Sequence, residues 1–201
     1  MIEFKKSILS DSDNIYMGID QSLNGTGIVI YNKNEDKVLF STTLSSEKTK
    51  LSDEKNGAPI ELRLIYIIDS IAEIIKKFNV QVVGIEGLAF NSSGSRSGKS
   101  YSSGNSNSSR QLSGLFFGIM CLLYREGLKY FVIAPKSVKL VATGSGNASK
   151  EEMVAAIDSE ILEDLLSSNG FKSPTKAFFD IADAYHLCMY PIKMRVLLSK
   201  K

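Results

Sequence analysis

The sequence predicts an α/β protein with a five-stranded mixed sheet flanked by helices. Three β-type segments follow one another closely near the start of the chain, and two later apolar segments each follow a helical one. Helical periodicity then dominates the rest of the chain. With 201 residues and 43% hydrophobic side chains, the chain can build one domain with a substantial core, but two catalytic lobes would not fit.

The first part of the prediction is an antiparallel meander. Residues 1–14 are polar, and we expect them to form a flexible extension. Strands are predicted over 15–20, 26–31 and 37–44, separated by short segments rich in Gly, Asn and Asp. Short turns of this kind join neighbouring antiparallel strands.

The next part adds parallel strands through helical crossovers. Pro59 suits the first turn of a helix, and apolar residues follow at helical spacing as far as Phe78. A strand over 81–86 comes next, and strand–helix–strand connections are right-handed and lead to parallel pairing. We therefore expect this strand to lie beside the first one. A helix over 111–124 leads into a fifth strand over 129–133.

Helices complete the chain. They are predicted from Pro135 to Thr143, over 153–166 behind the capping-box pattern Ser149 to Glu152, and over 175–190. The last helix is expected to stop at Pro191, which leaves 191–201 as a C-terminal tail. The predicted sheet thus has three antiparallel strands, and helical crossovers add two more. This is the order of a ribonuclease H-like fold. The predicted domain spans 15–190.

Residues 91–110 have the most unusual composition. Ten of these twenty residues are serine, and such a segment cannot bury a core, so a mobile loop is predicted here. The triplet Gly98-Lys99-Ser100 lies within it. A phosphate-binding loop would need a glycine where Ser93 stands, so no nucleotide cofactor is expected.

The net charge of +2 conceals an uneven distribution. Residues 87–150 hold eight basic side chains and one acidic one, which favours a polyanionic partner. The sequence has neither an apolar run of membrane-spanning length nor an apolar signal segment, so we expect a cytoplasmic protein without a membrane partner. Cys121 and Cys188 lie in apolar runs without metal-ligand spacing and are expected to be reduced core thiols.

Four carboxylates are candidates for a metal site. Asp20 ends the first strand and Glu86 ends the fourth, and the carboxyl ends of parallel strands meet at one edge of a sheet. Asp180 and Asp183 are three residues apart, so they share one face of the last helix. Clustered carboxylates repel one another unless cations neutralise them, and oxygen ligands suit Mg²⁺ or Mn²⁺. Two such ions about 4 Å apart promote phosphodiester hydrolysis.

The motifs that contain these acids resemble those of the RuvC family of Holliday-junction resolvases, in the divergent form found in phages and prophages. The motifs are Gly18-Ile-Asp20-Gln-Ser-Leu-Asn-Gly-Thr-Gly27, Val83-Gly-Ile-Glu86, Pro135-Lys-Ser-Val-Lys139 with Gly144-Ser-Gly-Asn-Ala-Ser-Lys150, and Asp180-Ile-Ala-Asp183-Ala. The resemblance covers roughly residues 15–190.

The resemblance implies a metal-dependent endonuclease that nicks opposing strands of four-way DNA junctions. It implies that the catalytic, metal-binding acids are Asp20, Glu86, Asp180 and Asp183, which would hold two Mg²⁺ or Mn²⁺ ions. It implies that Lys139 and Lys150 contact DNA near the scissile strand. It also implies a homodimer whose products carry 5′-phosphate and 3′-hydroxyl ends.

Other residues are candidate DNA contacts with two interpretations each. Phe90, four residues after Glu86, is either a wedge between unstacked bases or a core side chain. The serine-rich segment either follows the phosphate backbone or forms a tether without contact; its candidate contacts are Arg96, Lys99, Tyr101 and Arg110. His186, the only histidine, lies one turn after Asp183 and is either a partner of the acids or a packing residue.

Alternatives to a junction resolvase remain open. The same fold also suits a nuclease that acts on flaps, replication forks or structured RNA. An actin-like ATPase or sugar kinase begins with a similar Gly-x-Asp hairpin, but it requires a second lobe for which the chain has no room. A catalytically silent DNA-binding module would have no physical reason to keep four repelling acids together.

Overall fold

The computed structural model describes residues 9–46, 58–88 and 104–199, without side-chain detail at 104–107 and 198–199. Within these ranges the strands are β1 (Ile15–Asp20), β2 (Thr26–Asn32), β3 (Lys37–Leu44), β4 (Val82–Glu86) and β5 (Lys129–Ile133). The helices are α1 (Ile60–Phe78), α2 (Gly104–Arg125), α3 (Pro135–Thr143), α4 (Lys150–Ala155), α5 (Ser159–Ser168) and α6 (Phe179–Ser199), the last preceded by a 3₁₀ turn, Lys176–Phe178.

The sheet has the predicted mixed topology. Its strand order is β3-β2-β1-β4-β5, with β1, β2 and β3 antiparallel and with β4 and β5 added in parallel. As expected, β4 lies beside β1, and Ile19 pairs with Ile85. Asp20 and Glu86 each follow this pair directly, so they leave the sheet side by side at one edge.

Helices cover both faces of the sheet. On one face, α1 and α2 pack against the sheet through a fully buried cluster that includes Met17, Ile19, Ile67 and Leu115. On the other face lie α3, α4, α5 and α6. Alternation along β1 explains the division, because successive side chains of a strand point to opposite faces.

Helix α6 lies directly on the sheet because three strands carry glycine beneath it. An added Cβ would lie 2.0 Å from the carbonyl oxygen of Asp180 at Gly27, 1.8 Å from that of Ala184 at Gly18 and 2.1 Å from that of Leu187 at Gly84. No side chain fits in these spaces, and glycine in a strand interior marks this kind of close backbone approach. The contact brings the first turns of α6 to the sheet edge where Asp20 and Glu86 stand.

The predicted end of α6 at Pro191 is wrong, and the predicted tail is helical over 191–199, while 200–201 lie outside the described residues. The helix continues through Pro191 to Ser199. Pro191 has no N–H, so it cannot donate to the carbonyl of Leu187 four residues earlier. That carbonyl instead faces Gly84 of β4. The later part of α6 is held in place by Arg195, which pairs with Asp11.

Two further boundaries differ from the prediction. Helix α2 begins at Gly104, so residues 104–110 are helical and do not belong to a loop, while 91–103 lie outside the described residues. Residues 104–110 extend α2, whose later, apolar residues pack against the sheet. Within α2, Ser113 Oγ donates to the carbonyl of Ser109 at 2.9 Å. The helix predicted over 153–166 is two helices, because the Asp158 side chain accepts a bond from the Glu160 N–H and starts α5.

Residues 9–14 pack on the domain, whereas a flexible extension was predicted there. Asp13 is buried and accepts bonds from Lys129 Nζ at 2.7 Å on both carboxylate oxygens. Arg195 donates to the carbonyl of Ser10 at 2.9 Å. Long-range pairs of this kind have no local sequence signal. The remainder of the predicted extension, 1–8, lies outside the described residues.

The two cysteines are free thiols, as predicted, but only one is a core residue. Cys188 is fully buried in α6, while Cys121 is exposed on the outer face of α2. The expectation of a core position was therefore wrong for Cys121, because an apolar helix still presents one face to its surroundings. In the part of the chain that the structure describes, none of the helices is both long and apolar enough to span a membrane.

Candidate active site

The ends of β1 and β4 are joined by a side chain that our sequence analysis did not select. Gln21, which follows Asp20, is 7% exposed, and its Nε2 donates to the backbone carbonyl of Glu86 at 2.8 Å. Its Oε1 is buried without a partner in the described residues. A polar residue directly after the strand-end acid was the available signal. Gln21 keeps Asp20 and Glu86 adjacent.

The four predicted acids come together at this edge of the sheet, three of them in one cleft and the fourth beside it. Asp20, Glu86 and Asp183 line one small cleft, whose apolar wall includes Val138. Asp180 lies beside this cleft, over the β1–β2 hairpin. A Cβ added at Gly25 of that hairpin would lie 2.7 Å from Asp180 Oδ2.

The predicted lysines reach the same cleft and make different bonds. Lys150 forms an ion pair with the Oδ2 atom of Asp183 and remains 47% exposed. Lys139 donates from Nζ to the carbonyl of Ala148 at 2.6 Å. Lys139 therefore holds the segment that leads into α4, and α4 begins with Lys150.

The acids influence one another electrostatically. Burial, together with the negative charges of Glu86 and Asp180, raises the pKa of Asp20 to about 7, and Lys150 opposes this shift. Burial also raises the pKa of Glu86, against the effect of Lys150 and Lys139. The pKa of Asp180 is raised by burial and lowered by Lys150. The cluster therefore favours cations.

The donor atoms of this cluster fit a hard divalent cation. All four groups are carboxylates, the ligands that Mg²⁺ and Mn²⁺ prefer. In the described ranges, however, no three His, Cys, Asp or Glu side chains form a group that could hold an ion as they stand. The Lys150 ammonium is paired with one of the four acids. The site thus has the charge and chemistry for metal binding, and enclosing an ion requires side-chain movement.

The β1–β2 hairpin beside Asp180 is held by an arginine that sequence reasoning missed. From α1, Arg63 donates to Asn24 Oδ1 at 2.6 Å, to the carbonyl of Leu23 at 3.1 Å and to Ser46 Oγ at 2.9 Å. No spacing in the sequence links Arg63 to a hairpin about forty residues earlier. Two of these bonds reach the loop over which Asp180 lies, and Ser46, the third partner, itself donates from Oγ to the carbonyl of Leu23.

His186 contacts the backbone of α4 and packs in the core. Its Nε2 bonds with the carbonyl of Met153 at 2.7 Å, while Nδ1 is buried without a partner among the described residues. Burial lowers the pKa of His186 to about 4. Of its two interpretations, these contacts support packing, and they join α6 to α4.

Of the remaining candidate DNA contacts, the structure describes only Arg110, which does not line the cleft. Arg110 is exposed on the first turns of α2. Phe90, Arg96, Lys99 and Tyr101 lie outside the described residues, so their predicted roles remain predictions.

The strand order places two acids at one edge of the sheet, and α6 adds two more beside them. This arrangement defines the ribonuclease H-like class of nucleases. Residues 16–187 match the family model of crossover junction endodeoxyribonuclease RuvC. The chain belongs to this family, as the motifs predicted. Nucleases of this family depend on metal ions.

Curated relatives and solved structures agree with this family. RuvC proteins of Treponema denticola and Rickettsia typhi are 27% and 28% identical over 143 residues, which cover 70% and 71% of this chain and 69% and 80% of theirs. The Thermus thermophilus RuvC structure has a TM-score of 0.60 at 17% identity, covering 91% of this chain and 96% of that one. The same protein in complex with Holliday junction substrate gives 0.62 at 14%, covering 92% and 96%. The yeast mitochondrial Holliday junction resolvase Ydc2 gives 0.60 at 18%, covering 92% and 80%.

Proposed function

We propose that this protein is a metal-dependent, structure-selective endonuclease that acts as a homodimer and nicks opposing strands of four-way DNA junctions. One observation carries the proposal: in a chain of the RuvC family, four carboxylates from two strands and one helix meet at one sheet edge beside two lysines. The structural relative solved with a Holliday junction substrate supports the choice of DNA. We also propose a cytoplasmic location, which suits the two free thiols.

The proposed chemistry assigns the acids to metal binding and the lysines to phosphate. Asp20, Glu86, Asp180 and Asp183 would hold two Mg²⁺ or Mn²⁺ ions, which supply a polarised phosphate and a water of lowered pKa when bound. Gln21 keeps the two strand-end acids in register. The ammonium groups of Lys139 and Lys150, which reach the cleft, would contact the phosphate and offset the charge added to it during attack by water. Hydrolysis that breaks the P–O3′ bond leaves 5′-phosphate and 3′-hydroxyl ends.

The proposed dimer surface is the outer face of α1 and α2. Phe117 and Tyr124 of α2 are 59% and 78% exposed, and Ile65 of α1 is 53% exposed. Phe117, exposed Cys121 and Tyr124 follow one another at spacings of four and three, so they form one stripe on α2. Each chain carries one acidic cluster in its described residues. Two symmetric nicks therefore need two chains, and an apolar stripe of this kind favours self-association.

A nicking assay tests the proposal. Wild-type protein is incubated with a four-way junction, a three-way junction, a flap and a linear duplex at one stated salt concentration, with Mg²⁺, Mn²⁺ or chelator. We expect paired nicks in the four-way junction and none with chelator. Asp183→Asn should not cut, while Asp164→Asn, a matched change at an exposed acid of α5, should cut normally. Equal cutting of flaps and junctions would instead favour the broader branched-DNA nuclease, and cutting in chelator would contradict metal dependence.

A further inference from the structure

A lysine ammonium stands among the carboxylates of the candidate active site. Lys150 pairs with Asp183, and its positive charge acts on Asp20, Glu86 and Asp180 as well. Lys139 differs, because its hydrogen bond goes to a backbone carbonyl. Lys150 is thus the cation shared by all four acids.

We propose that Lys150 is an internal counter-ion of the carboxylate cluster and that a divalent cation must displace it from Asp183 in order to bind. The inference rests on the proposed function, in which these acids hold metal. An ammonium and a divalent cation both bind carboxylate oxygens, so the two compete for Asp183 Oδ2. Among the described residues, the acids as they stand do not form a group that could hold an ion, as expected if Lys150 occupies the place of the metal.

The local structure allows Lys150 to leave without unfolding its helix. Lys150 is the first residue of α4, and its side chain is 47% exposed. The helix start is held independently by a capping box, in which the Glu152 N–H donates to Ser149 Oγ at 3.1 Å and the Ser149 N–H donates to Glu152 Oε2 at 2.7 Å. The flexible stem of a lysine lets the ammonium swing away while the backbone stays.

Displacement gives Lys150 a second use. Once it is released from Asp183, the ammonium stays tethered at the rim of the cleft, where a phosphate of bound DNA offers a new anionic partner. Metal binding and phosphate contact are therefore linked through one side chain.

Removal of the charge tests the competition. Lys150→Met should bind Mn²⁺ about tenfold more tightly than the wild type, because the metal no longer displaces an ion pair that is partly exposed. Without metal, the variant should unfold at a lower temperature than wild type, since the carboxylates lose their counter-ion. With saturating Mn²⁺, that difference should shrink or reverse. Mn²⁺ affinity is measured by calorimetry, and unfolding is followed by circular dichroism.

A matched variant separates competition from general charge effects. Lys136→Met removes the same charge from an exposed position on α3, where the described residues provide no ion pair, and should change Mn²⁺ affinity less than twofold. Lys150→Gln is the second variant should Lys150→Met fail to fold. In the wild type, Mn²⁺ should also increase the labelling of Lys150 by an amine reagent, read by mass spectrometry, because the ammonium is no longer paired.

The outcomes distinguish this inference from the proposed function. If the wild type binds Mn²⁺ and the Lys150 variants bind it equally or more weakly, the counter-ion inference is overturned and the metal site stands. If neither the wild type nor the variants bind Mn²⁺, the proposed function fails and this inference fails with it. Tighter binding by the variants, with faster labelling of Lys150 in Mn²⁺, supports both.

Discussion

Asp20 combines burial with two neighbouring negative charges, and each raises the free energy of its ionised form. Its pKa near 7 in the folded chain stands well above its ordinary value of 3.8. The unfolded chain therefore ionises this group more readily, and the stability of the ion-free protein falls as the pH rises from about 4 to 7. A residue that suits metal binding thus destabilises the protein when metal is absent.

Asp20→Asn should abolish cleavage and stabilise the ion-free protein. The amide keeps the shape of the carboxyl but removes its charge, so we expect a gain of about 2 kcal/mol at pH 7, allowing for partial solvent screening. Binding of a four-way junction should be retained or improved, because less negative charge faces the phosphates. Thermal unfolding without divalent ions, nicking and gel-shift assays measure these effects, with Asp164→Asn as control. A variant that still cuts would show that the site assignment is wrong.

His186 should make stability depend on pH between 4 and 6.5. Burial and the nearby charge of Lys193 keep the folded imidazole neutral, and its Nδ1 has no acceptor for a second proton among the described residues. The unfolded chain binds that proton below 6.5, whereas the folded chain binds it only near 4. Stability is therefore lost as the pH falls through this range, by about 3 kcal/mol in total.

Comparison with His186→Gln isolates this effect from the carboxylates that titrate in the same range. The free energy of unfolding is measured by urea denaturation at several pH values. The wild type should lose about 3 kcal/mol more than the variant between pH 6.5 and 4. Parallel profiles would contradict the assignment.

Residues differ in how much of their role can be predicted from sequence. The acids were predictable because strand ends and helix spacing are local patterns, and these patterns place them near one another in the structure. The bonds of Gln21 and Arg63 were not predictable, since their partners lie tens of residues away in the chain; the position of Gln21 after the strand-end acid marks it as a candidate but does not identify its partner. A hydrogen bond across such a distance depends on the packing of whole elements.

At the level of elements, the contact between α6 and the sheet decides where the site forms. Glycines in three neighbouring strands let the helix backbone touch the sheet, which puts Asp180 and Asp183 beside the strand-end acids. The strands followed from short apolar runs bounded by turn residues, and the pairing of β4 with β1 followed from the helical crossover between them. The length of α6 did not, because Pro191 normally stops a helix, and here packing of the flanking turns overrides that preference.

Gly18→Ala should destabilise the protein by at least about 3 kcal/mol, because its methyl group would lie 1.8 Å from the backbone oxygen of Ala184. Gly114→Ala is the matched control, since an added Cβ there meets only the Leu64 side chain at 3.7 Å and alanine favours the helix. Chemical denaturation measures both. Similar stabilities for the two variants would contradict the proposed close contact.

At the level of the whole molecule, the basic residues and the exposed apolar residues lie on different faces, and each face suits a different partner. The basic middle of the sequence includes Lys139 and Lys150 at the cleft, where DNA is proposed to bind. The exposed apolar stripe lies on α2, which covers the other face of the sheet. Two chains joined through this stripe would leave both clefts available to one four-way junction.

Phe117→Glu should convert the proposed dimer into a monomer, because two charges would then face an apolar contact. We expect the variant to nick one strand at a time and to release the paired product much more slowly. Leu197→Glu places the same charge at an exposed apolar position of α6 and should stay dimeric. Analytical ultracentrifugation gives the oligomeric state, and cross-linking through Cys121 reports whether two stripes meet. A dimeric Phe117→Glu protein would exclude this surface.

The sequence by itself predicted the antiparallel meander, the pairing of β4 with β1, the family, and that four acids would meet at one sheet edge, because apolar runs, turn chemistry and motif spacing are properties of short segments. Only the tertiary structure decided that α6 rests on glycines, that Gln21 and Arg63 secure the site and that Lys150 pairs with Asp183. These contacts join segments that are far apart in the chain. Their geometry depends on how closely two backbones approach, which no local pattern encodes.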